Sequence, residues 1–396
     1  MKNKYVYMLF VIACAVTTML ICASCKNYWM YEILDPRIIT FDSNGGSHVE
    51  EQKVIKGYRI KVPKNPSRIG FVFDGWYLDN GTFEERWNFN VVPAVGFTLY
   101  ANWNPETGTE GLSFALIDGG TAYSVSRGTV NSGAVLIPAY YRPNPTSPAL
   151  PVTAVANSAF NNTDITAVTF AAGSQITTIE AEAFSMCTSL TSVTLPNNLT
   201  SIEDYAFGKC PNLTSITISA SVTYICADVF SQCPNLTSIK VAANNPNYAS
   251  EGGILYNKAK TNLLQYPSAK GSITIPAGVT SIGNHAFNSC TSLTSVTFAA
   301  GSRITTISDA AFNSCTSLTS INIPQSVTSI GASAFNNCES LARVTFNGTI
   351  ASANFSTATP FPGDLRAKYL DANGGIGTYT ATRASGDNAT AVWTKQ

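Results

Sequence analysis

Charged side chains are scarce in this sequence of 396 residues. Lysine and arginine together number 24, and aspartate and glutamate also number 24, so only 12% of the chain is charged and the formal net charge is zero. An average soluble domain carries about 25% charged residues. Because a nucleic-acid-binding protein needs a basic surface to neutralise phosphates, this composition argues against that function.

Histidine is scarcer still, since His48 and His285 are the only two in the chain. Two histidines leave few candidates for imidazole catalysis or for a metal site with several histidine ligands. The sequence also lacks the HExxH, GxSxG and EF-hand patterns, and its Gly-Gly pairs are not followed by the Lys-Ser/Thr of a phosphate loop. We therefore expect no enzyme activity, no catalytic residue, no cofactor and no metal.

The N-terminus has the features of an export signal. Two lysines precede an apolar run at residues 5–22, and small residues lead to Cys25. Residues 22–25 resemble a bacterial lipobox, although Cys22 stands where that motif usually has leucine. The resemblance implies a lipoprotein signal at residues 1–25, lipidation at Cys25 and a lipid-anchored location on the bacterial cell surface or outer membrane. An ordinary cleaved signal and an uncleaved anchor are the alternatives, because the run is close to the minimum length of a membrane span.

A first small domain is predicted at residues 36–104. Short runs of alternating apolar and polar residues are separated by turn formers, and aromatic residues are dense after residue 70. A module of this size has a poor ratio of volume to surface, so large rings are needed to fill its core. Core filling is therefore a better explanation for most of these rings than a carbohydrate-binding platform.

Three segments of this domain resemble one bacterial family. They are Ile-Thr-Phe-Asp-Ser-Asn-Gly-Gly at residues 39–46, Gly-Phe-Val-Phe-Asp-Gly-Trp-Tyr at 70–77 and Leu-Tyr-Ala-Asn-Trp at 99–103. In this order they resemble the opening, middle and closing motifs of the internalin-type B repeat, or Listeria–Bacteroides repeat. The resemblance implies a ubiquitin-like β-grasp module that serves as a spacer or an auxiliary binding module. The Pro- and Gly-containing residues 105–111 that follow are expected to form a linker.

From residue 150 onward the sequence repeats itself. A phenylalanine preceded by alanine or valine recurs at intervals of 23 to 25 residues, with one long interval of 57 that corresponds to an ordinary unit of 23 and an expanded one of 34. These phenylalanines are Phe160, Phe184, Phe207, Phe230, Phe287, Phe312 and Phe335.

Each unit contains a short stretch in which apolar and polar residues alternate. In the second unit Val193 and Leu195 are expected to point inward, whereas Ser192 and Thr194 point outward. A unit of 23 residues cannot bury its apolar side alone, so the units must stack. The pattern predicts a β-rich solenoid with a parallel ladder of short strands.

Residues 112–350 resemble the leucine-rich-repeat family, and in particular its BspA-like subgroup of bacterial surface proteins. The resemblance implies that the array binds proteins of the host extracellular matrix or of partner cells. After Phe346 the repeat fades, and residues 351–396 are expected to cap the solenoid.

Six of the ten cysteines follow a repeat phenylalanine by three residues. This shared register favours a buried packing ladder over disulfides or zinc, because a buried thiol behaves as a small hydrophobe. Cys226 lies outside the register and is the cysteine to test for reactivity. The ladder cysteines are Cys187, Cys210, Cys233, Cys290, Cys315 and Cys338.

The outward strand positions are the candidate ligand-binding face. They present hydroxyl and amide groups with only two charged side chains, and the leading hypothesis is a cell-surface adhesion or protein-binding lipoprotein. A structural envelope or spacer protein without a specific ligand, and a glycan-binding surface protein, remain alternatives. The expanded unit at residues 242–272 could form contacts with a ligand or be a tolerated surface loop. The residues of the face are Ser192, Thr194, Ser215, Thr217, Ser238, Lys240, Ser295, Thr297, Ser320, Asn322, Arg343 and Thr345.

Overall fold

The computed structural model describes residues 36–382 and 391–396. The predicted signal at residues 1–25, with the lipidation site Cys25, lies outside the described residues. The chain divides into two compact units, of which one ends at Pro105 and the other begins at Glu106.

The first unit is built on one mixed sheet of four strands in the order β2–β1–β4–β3. Strands β1 and β4 pair in parallel, whereas β1 with β2 and β3 with β4 pair antiparallel. The part of this unit that the structure describes contains no helix, and the β-grasp assignment stays a prediction. The strands are β1 Arg37–Asp42, β2 Gln52–Val54, β3 Phe71–Tyr77 and β4 Phe97–Pro105.

Aromatic rings fill the core of this unit, as the sequence predicts. Trp76 and Trp103 are almost fully buried beside Ile39 and Leu99. The Trp103 indole N–H donates to the carbonyl of Ser43 at 2.8 Å. A Cβ at Gly46 would collide with the Trp103 ring, so the turn after β1 needs glycine there.

The second unit is the repeat array, and its strands form two series. Most strands of the first series have four or more residues, and most strands of the second series have two. The longer strands are β7 Ser132–Ile137, β10 Asp164–Phe170, β12 Ser192–Val193, β14 Ser215–Ile218, β16 Ser238–Val241, β20 Ser272–Ile275, β22 Ser295–Phe298, β24 Ser320–Ile323 and β26 Arg343–Phe346. The second series starts with β5 Ser113–Ile117, β6 Ala122–Ser126 and β9 Leu150–Val155, with β8 Tyr140–Tyr141 beside it, and continues as β11 Thr178–Ile179, β13 Ser201–Ile202, β15 Tyr224–Ile225, β19 Asn262–Gln265, β21 Ser281–Ile282, β23 Thr306–Ile307 and β25 Ser329–Ile330.

The predicted parallel ladder and its alternation are confirmed. Most strands of successive repeats pair in parallel, and β14 and β16 do so without a shift, with Ser215 opposite Ser238 and Ile216 opposite Ile239. In β14 the isoleucines are buried and Ser215 is exposed. Stacking therefore buries the apolar side that a single repeat could not bury.

The repeat phenylalanines stack ring on ring in two separate columns. Phe160, Phe184, Phe207 and Phe230 have centroid distances of 5.2, 5.4 and 5.9 Å. A second column begins at Tyr266 and continues through the repeat phenylalanines to Phe361, with distances of 4.8, 4.6, 4.9 and 4.5 Å. The expanded unit has no repeat phenylalanine, and Tyr266 takes its place in the column.

The expanded unit is neither a protruding loop nor a plain surface insertion. It contains an antiparallel hairpin formed by β17 Tyr248–Glu251 and β18 Ile254–Asn257, which we call the partition hairpin. The carbonyl of Gly253 at its tip accepts a hydrogen bond from the N–H of Ile239 in β16 at 2.8 Å. On its other side β18 pairs antiparallel with β19. The expanded unit is therefore inserted between the two halves of the array.

The last segment continues the sheet at the end of the array. Strand β27 Gly377–Thr382 pairs antiparallel with β26, and β28 Val392–Lys395 pairs antiparallel with β27. The helix α1 Leu365–Leu370 precedes them. Trp393 and Tyr379 are buried in the core of the last repeats. Single turns of 3-10 helix occur at Asp118–Gly120 and Ser352–Asn354.

Candidate ligand-binding face

The twelve predicted outward residues, which we call the strand face, do point away from the core. Ten of them are exposed, and Ser238 and Thr345 are half-buried. The residues between them, such as Ile216 and Val344, are buried. The orientation follows from the period of two along each strand.

The structure divides this face into two parts, whereas the sequence predicts one outward ladder. The face belongs to three separate sheets, and the tip of the partition hairpin lies beside β16, where β20 would otherwise pair. The N-terminal part ends at Lys240, and the C-terminal part runs through β20, β22, β24 and β26. The reason is that a hairpin of the expanded unit takes up the free edge of β16.

Two residues of the face were missed in the sequence. Ser272 and Thr274 of β20 lie in register with Ser295 and Thr297, and both are exposed. The Thr274 and Thr297 hydroxyl oxygens are 2.8 Å apart. The Ile-Thr-Ile-Pro segment at residues 273–276 was the sequence signal for this strand.

The C-terminal part of the face contains a shallow groove of about 750 Å³. Its lining joins Thr297 and Asn322 of the strand face to the amide side chains of Gln325 and Asn347 and to the half-buried ring of Phe298. None of the residues that line it carries a charge. The groove can therefore donate and accept hydrogen bonds to a neutral partner and offers one apolar surface.

Other threonines of the repeat are used inside the molecule. The hydroxyl of Thr200 donates to the carbonyl of Thr177 at 2.9 Å, and the hydroxyl of Thr223 donates to the carbonyl of Thr200 at 3.3 Å. The same contact recurs from Thr280 to Thr328 in the second half. Part of the hydroxyl content of the repeat therefore bridges neighbouring layers and is not free for a ligand.

The ladder cysteines are fully buried, which confirms the packing prediction. They also make a hydrogen bond that the sequence did not indicate. The Sγ of Cys210 lies 3.1 Å from the carbonyl oxygen of Phe184, the repeat phenylalanine of the preceding layer. Five of the six ladder thiols make this contact with the phenylalanine of the preceding layer, at 3.1 or 3.2 Å. Cys290 faces Tyr266 at 3.8 Å. Burial raises the pKa of the Cys290 thiol to about 12, which makes it unreactive.

Cys226, which the sequence singles out, is half-buried and donates its S–H to the Asp204 carboxylate. Burial, and then the hydrogen bond and negative charge of Asp204, raise the pKa of the Cys226 thiol. A thiol with a raised pKa has less of the nucleophilic thiolate at neutral pH. The structure thus argues against a reactive Cys226.

The described part of the chain offers neither a membrane-spanning helix nor a cluster of metal ligands. Within residues 36–382 and 391–396, no helix has the length and apolar character needed to cross a membrane. In the same part of the chain, no group of three or more histidine, cysteine, aspartate or glutamate side chains is placed to hold a metal ion.

Two family models match the chain. The BspA-type leucine-rich-repeat region matches in six copies at residues 153–251 and 263–358. The break between the two stretches falls on β18 of the partition hairpin. The Listeria-Bacteroides repeat domain matches residues 38–102.

The curated relatives resemble only a small part of the chain. Two proteins of Evansella cellulosilytica, both named as membrane proteins and one as Gly-rich, are 40% and 41% identical over 67 and 66 residues. These stretches are 17% and 16% of this chain, and the chain spans only 10% and 8% of the relatives' lengths.

Solved bacterial structures are similar to the array. A leucine-rich-repeat protein of Eubacterium ventriosum is 27% identical with a TM-score of 0.43, covering 61% of this chain and 72% of that one. The pneumococcal vaccine antigen PcpA is 19% identical with a TM-score of 0.44, covering 61% and 81%. A leucine-rich-repeat protein of T. pallidum is 24% identical with a TM-score of 0.37, covering 60% of this chain and 90% of that one.

The matched segments fall within the two units that the structure separates. The repeat model covers the stacked layers, and the second model covers the mixed sheet of β1 to β4. The chain therefore belongs to the BspA-type leucine-rich-repeat proteins and carries a Listeria-Bacteroides repeat domain ahead of its array.

Proposed function

We propose that this chain is a cell-surface lipoprotein that binds other proteins through the C-terminal part of its strand face. The observation that carries the proposal is the groove of about 750 Å³, in which Thr297 and Asn322 meet Gln325, Asn347 and the Phe298 ring. Leucine-rich-repeat proteins are generally binding scaffolds without enzymatic activity, and extended solenoid surfaces suit protein partners.

The chemistry of the groove defines the kind of partner. Amide side chains donate and accept hydrogen bonds at once, so they match peptide groups and polar side chains. Because the lining is uncharged, binding should depend little on salt. We propose proteins of the host extracellular matrix or of partner cells as the ligands, and no nucleic acid.

The proposed location is the bacterial surface. The family consists of surface proteins, and the relatives' names describe membrane proteins. Lipidation at Cys25 would attach the chain to the membrane, with the Listeria-Bacteroides repeat domain between the anchor and the array. Metabolic labelling with a fatty-acid analogue, compared between the native chain and Cys25→Ser, tests the anchor.

A bulky residue in the groove tests the binding site. Asn322→Trp should abolish binding of the full-length protein to immobilised extracellular-matrix proteins or to partner cells. Asn322 is exposed, so the substitution should not disturb the core. Thr194→Trp in the N-terminal part of the face is the matched control, because Thr194 is also exposed and lies outside the groove. Equal binding by both variants and the native chain would show that this groove is not the binding site.

A further inference from the structure

The expanded unit is missing part of a turn. In seven repeats the residue that ends the strand of the second series precedes the stacked ring by five positions, as Ile202 precedes Phe207 and Ile282 precedes Phe287. In the expanded unit Leu263 precedes Tyr266 by only three positions. Two turn residues are therefore absent at the level of the partition hairpin.

A cleft of about 350 Å³ opens at this place, and we call it the turn cleft. Its apolar lining comes from both halves of the array and from the hairpin, and its polar lining is mainly amide. The residues that matter here are Phe230, Leu255 and Leu264 on the apolar side, and Asn262, Gln265 and Asn284 on the polar side.

Two backbone N–H groups of the preceding layer are left without acceptors, that of Phe230, which lines the turn cleft, and that of the exposed Gln232, which lies two residues further along the turn. The N–H groups of the other seven stacked ring residues from Phe160 to Phe335 donate to a carbonyl of the next layer at 2.7 to 3.0 Å. Among the described residues no acceptor is present for the N–H of Phe230, although Phe230 is 1% exposed. The N–H of Gln232 also lacks the acceptor that the equivalent residues Met186 and Lys209 have.

Two amide side chains at the cleft are unpaired as well. Gln265 is 3% exposed and lines the cleft, and no hydrogen bond of its side-chain amide occurs within the described part of the chain. The Oδ1 atom of Asn262 is buried without a partner. Buried polar groups are nearly always paired, so the Phe230 N–H and the Asn262 Oδ1 atom are groups at the cleft to which a ligand can supply the missing partners.

We propose that the turn cleft binds an uncharged peptide segment that restores the missing turn. In the intact layers the two acceptors are carbonyls two residues apart, such as those of Ala334 and Asn336, which accept from Phe312 and Ser314 at 2.7 and 2.9 Å. A bound peptide presents carbonyls at the same spacing to Phe230 and Gln232, and its other polar groups meet the Gln265 amide.

The spacing of the two backbone donors and the uncharged lining of the cleft favour a peptide over other ligands. A peptide repeats its carbonyls at the spacing that the two backbone donors require, whereas a sugar does not. All residues that line the cleft are uncharged, so a charged segment would lose hydration without gaining an ion pair to a lining residue. The cleft is separate from the strand face and none of its residues belongs to the groove, so this proposal does not rest on the proposed function.

The array itself supplies a probe. An acetylated and amidated peptide of residues 331–337, Gly-Ala-Ser-Ala-Phe-Asn-Asn, is uncharged and carries the carbonyls that complement an intact layer. Isothermal titration calorimetry of the full-length protein should show saturable binding. Hydrogen–deuterium exchange should show protection at residues 228–233 when the peptide is added, because the N–H groups of Phe230 and Gln232 gain acceptors.

Variants assign the binding to the cleft. Gln265→Leu should weaken peptide binding by about tenfold in Kd, the effect of losing one hydrogen bond from a buried amide. Ala227→Trp, at a partly exposed position of the lining, should abolish binding by filling the cleft. Gln325→Leu, in the groove of the strand face, is the matched control and should bind normally.

Several outcomes overturn the proposal. They are the absence of saturable binding, unchanged binding by Ala227→Trp with a native circular dichroism spectrum, and protection of residues 228–233 by N-acetylglucosamine but not by the peptide. Should either variant fail to fold, exchange on the native protein decides, since it needs no substitution. Asn322→Trp should leave peptide binding intact, which separates this result from failure of the proposed function.

Discussion

Leu255 and Tyr256 are consecutive residues of β18, yet they are buried in two different hydrophobic cores. Leu255 is 1% exposed in the core of the N-terminal half, and Tyr256 is 2% exposed in the core of the C-terminal half. Successive side chains of a strand point to opposite faces, so a strand can be buried on both sides when it lies between two apolar layers. The partition hairpin thus closes each half of the array against the other.

The two residues should act on different halves of the array. Leu255→Ala should destabilise the N-terminal half by about 2–5 kcal/mol, the usual cost of such a cavity, and Tyr256→Ala should destabilise the C-terminal half by a similar amount. Hydrogen–deuterium exchange should therefore rise in β14 and β16 for the first variant and in β21 and β23 for the second. Each variant is the control for the other. The same exchange pattern in both variants would show that the array is one cooperative core.

The ladder cysteines should contribute through both packing and hydrogen bonding. Cys210→Ala removes a fully buried side chain and leaves the Phe184 carbonyl without the thiol 3.1 Å away. We expect a loss of about 1–3 kcal/mol in the free energy of unfolding, measured by denaturant titration. Cys226→Ala is the control, since Cys226 is half-buried outside the ladder, and its loss should be clearly smaller. Equal losses would mean that the shared register has no energetic role.

A left-handed backbone conformation recurs in the repeat at residues that are not glycine. The residue before each ladder cysteine has a positive φ, for example 58° at Met186 and 54° at Lys209. A Cβ in this conformation costs about 1–2 kcal/mol, although a tight turn of the layer requires it. The strain repeats with the layers because each turn has the same geometry.

Substitution at one such position measures this strain. Met186→Gly should be more stable than Met186→Ala by about 1 kcal/mol, because only glycine adopts the conformation without a Cβ clash. At Thr188, whose φ is not positive, the order should reverse by about 0.5–1 kcal/mol. Thermal unfolding of the four variants provides the comparison. A preference for alanine at both positions would contradict a strained turn.

The sequence predicts the layers but not the partition between them. Phe184 and Phe207 mark the layers because every ordinary unit repeats the same spacing, and the outward position of Ser215 follows from the period of two. The apolar run Ile254-Leu255-Tyr256 reads as one more strand, and nothing local shows that its two faces meet different cores.

The candidate sites illustrate the same limit. Asn322 could be assigned to the outward face from its own strand, whereas the groove around it depends on Gln325 and Asn347, which lie in turns of two successive layers. The turn cleft results from two absent residues between Leu263 and Tyr266, and an absence becomes visible only when the layers are aligned in space. Local periodicity therefore predicts orientation but not concavity.

A histidine–aspartate pair connects the two halves of the array beside the partition. The Nδ1 atom of His285 lies 3.0 Å from Oδ1 of Asp228, and the Asn288 amide also donates to that oxygen at 3.3 Å. The contact with Asp228 raises the pKa of His285, and partial burial opposes this effect. Asp309 and Asp204 add to the negative charge around the ring.

The raised pKa predicts how stability depends on pH. Protonated His285 is favoured in the folded state, so its contribution is fully present below the unfolded-state pKa of about 6.5 and is lost as the pH rises through the higher folded-state value. The free energy of unfolding of the native chain should therefore exceed that of His285→Gln by more at pH 5.5 than at pH 8.5, as measured by denaturant titration. His48→Gln is the matched control, because the His48 side chain is 78% exposed and should affect stability little at either pH. A difference for His285→Gln that grows toward high pH would have the wrong sign for a charged His285–Asp228 pair and would exclude it.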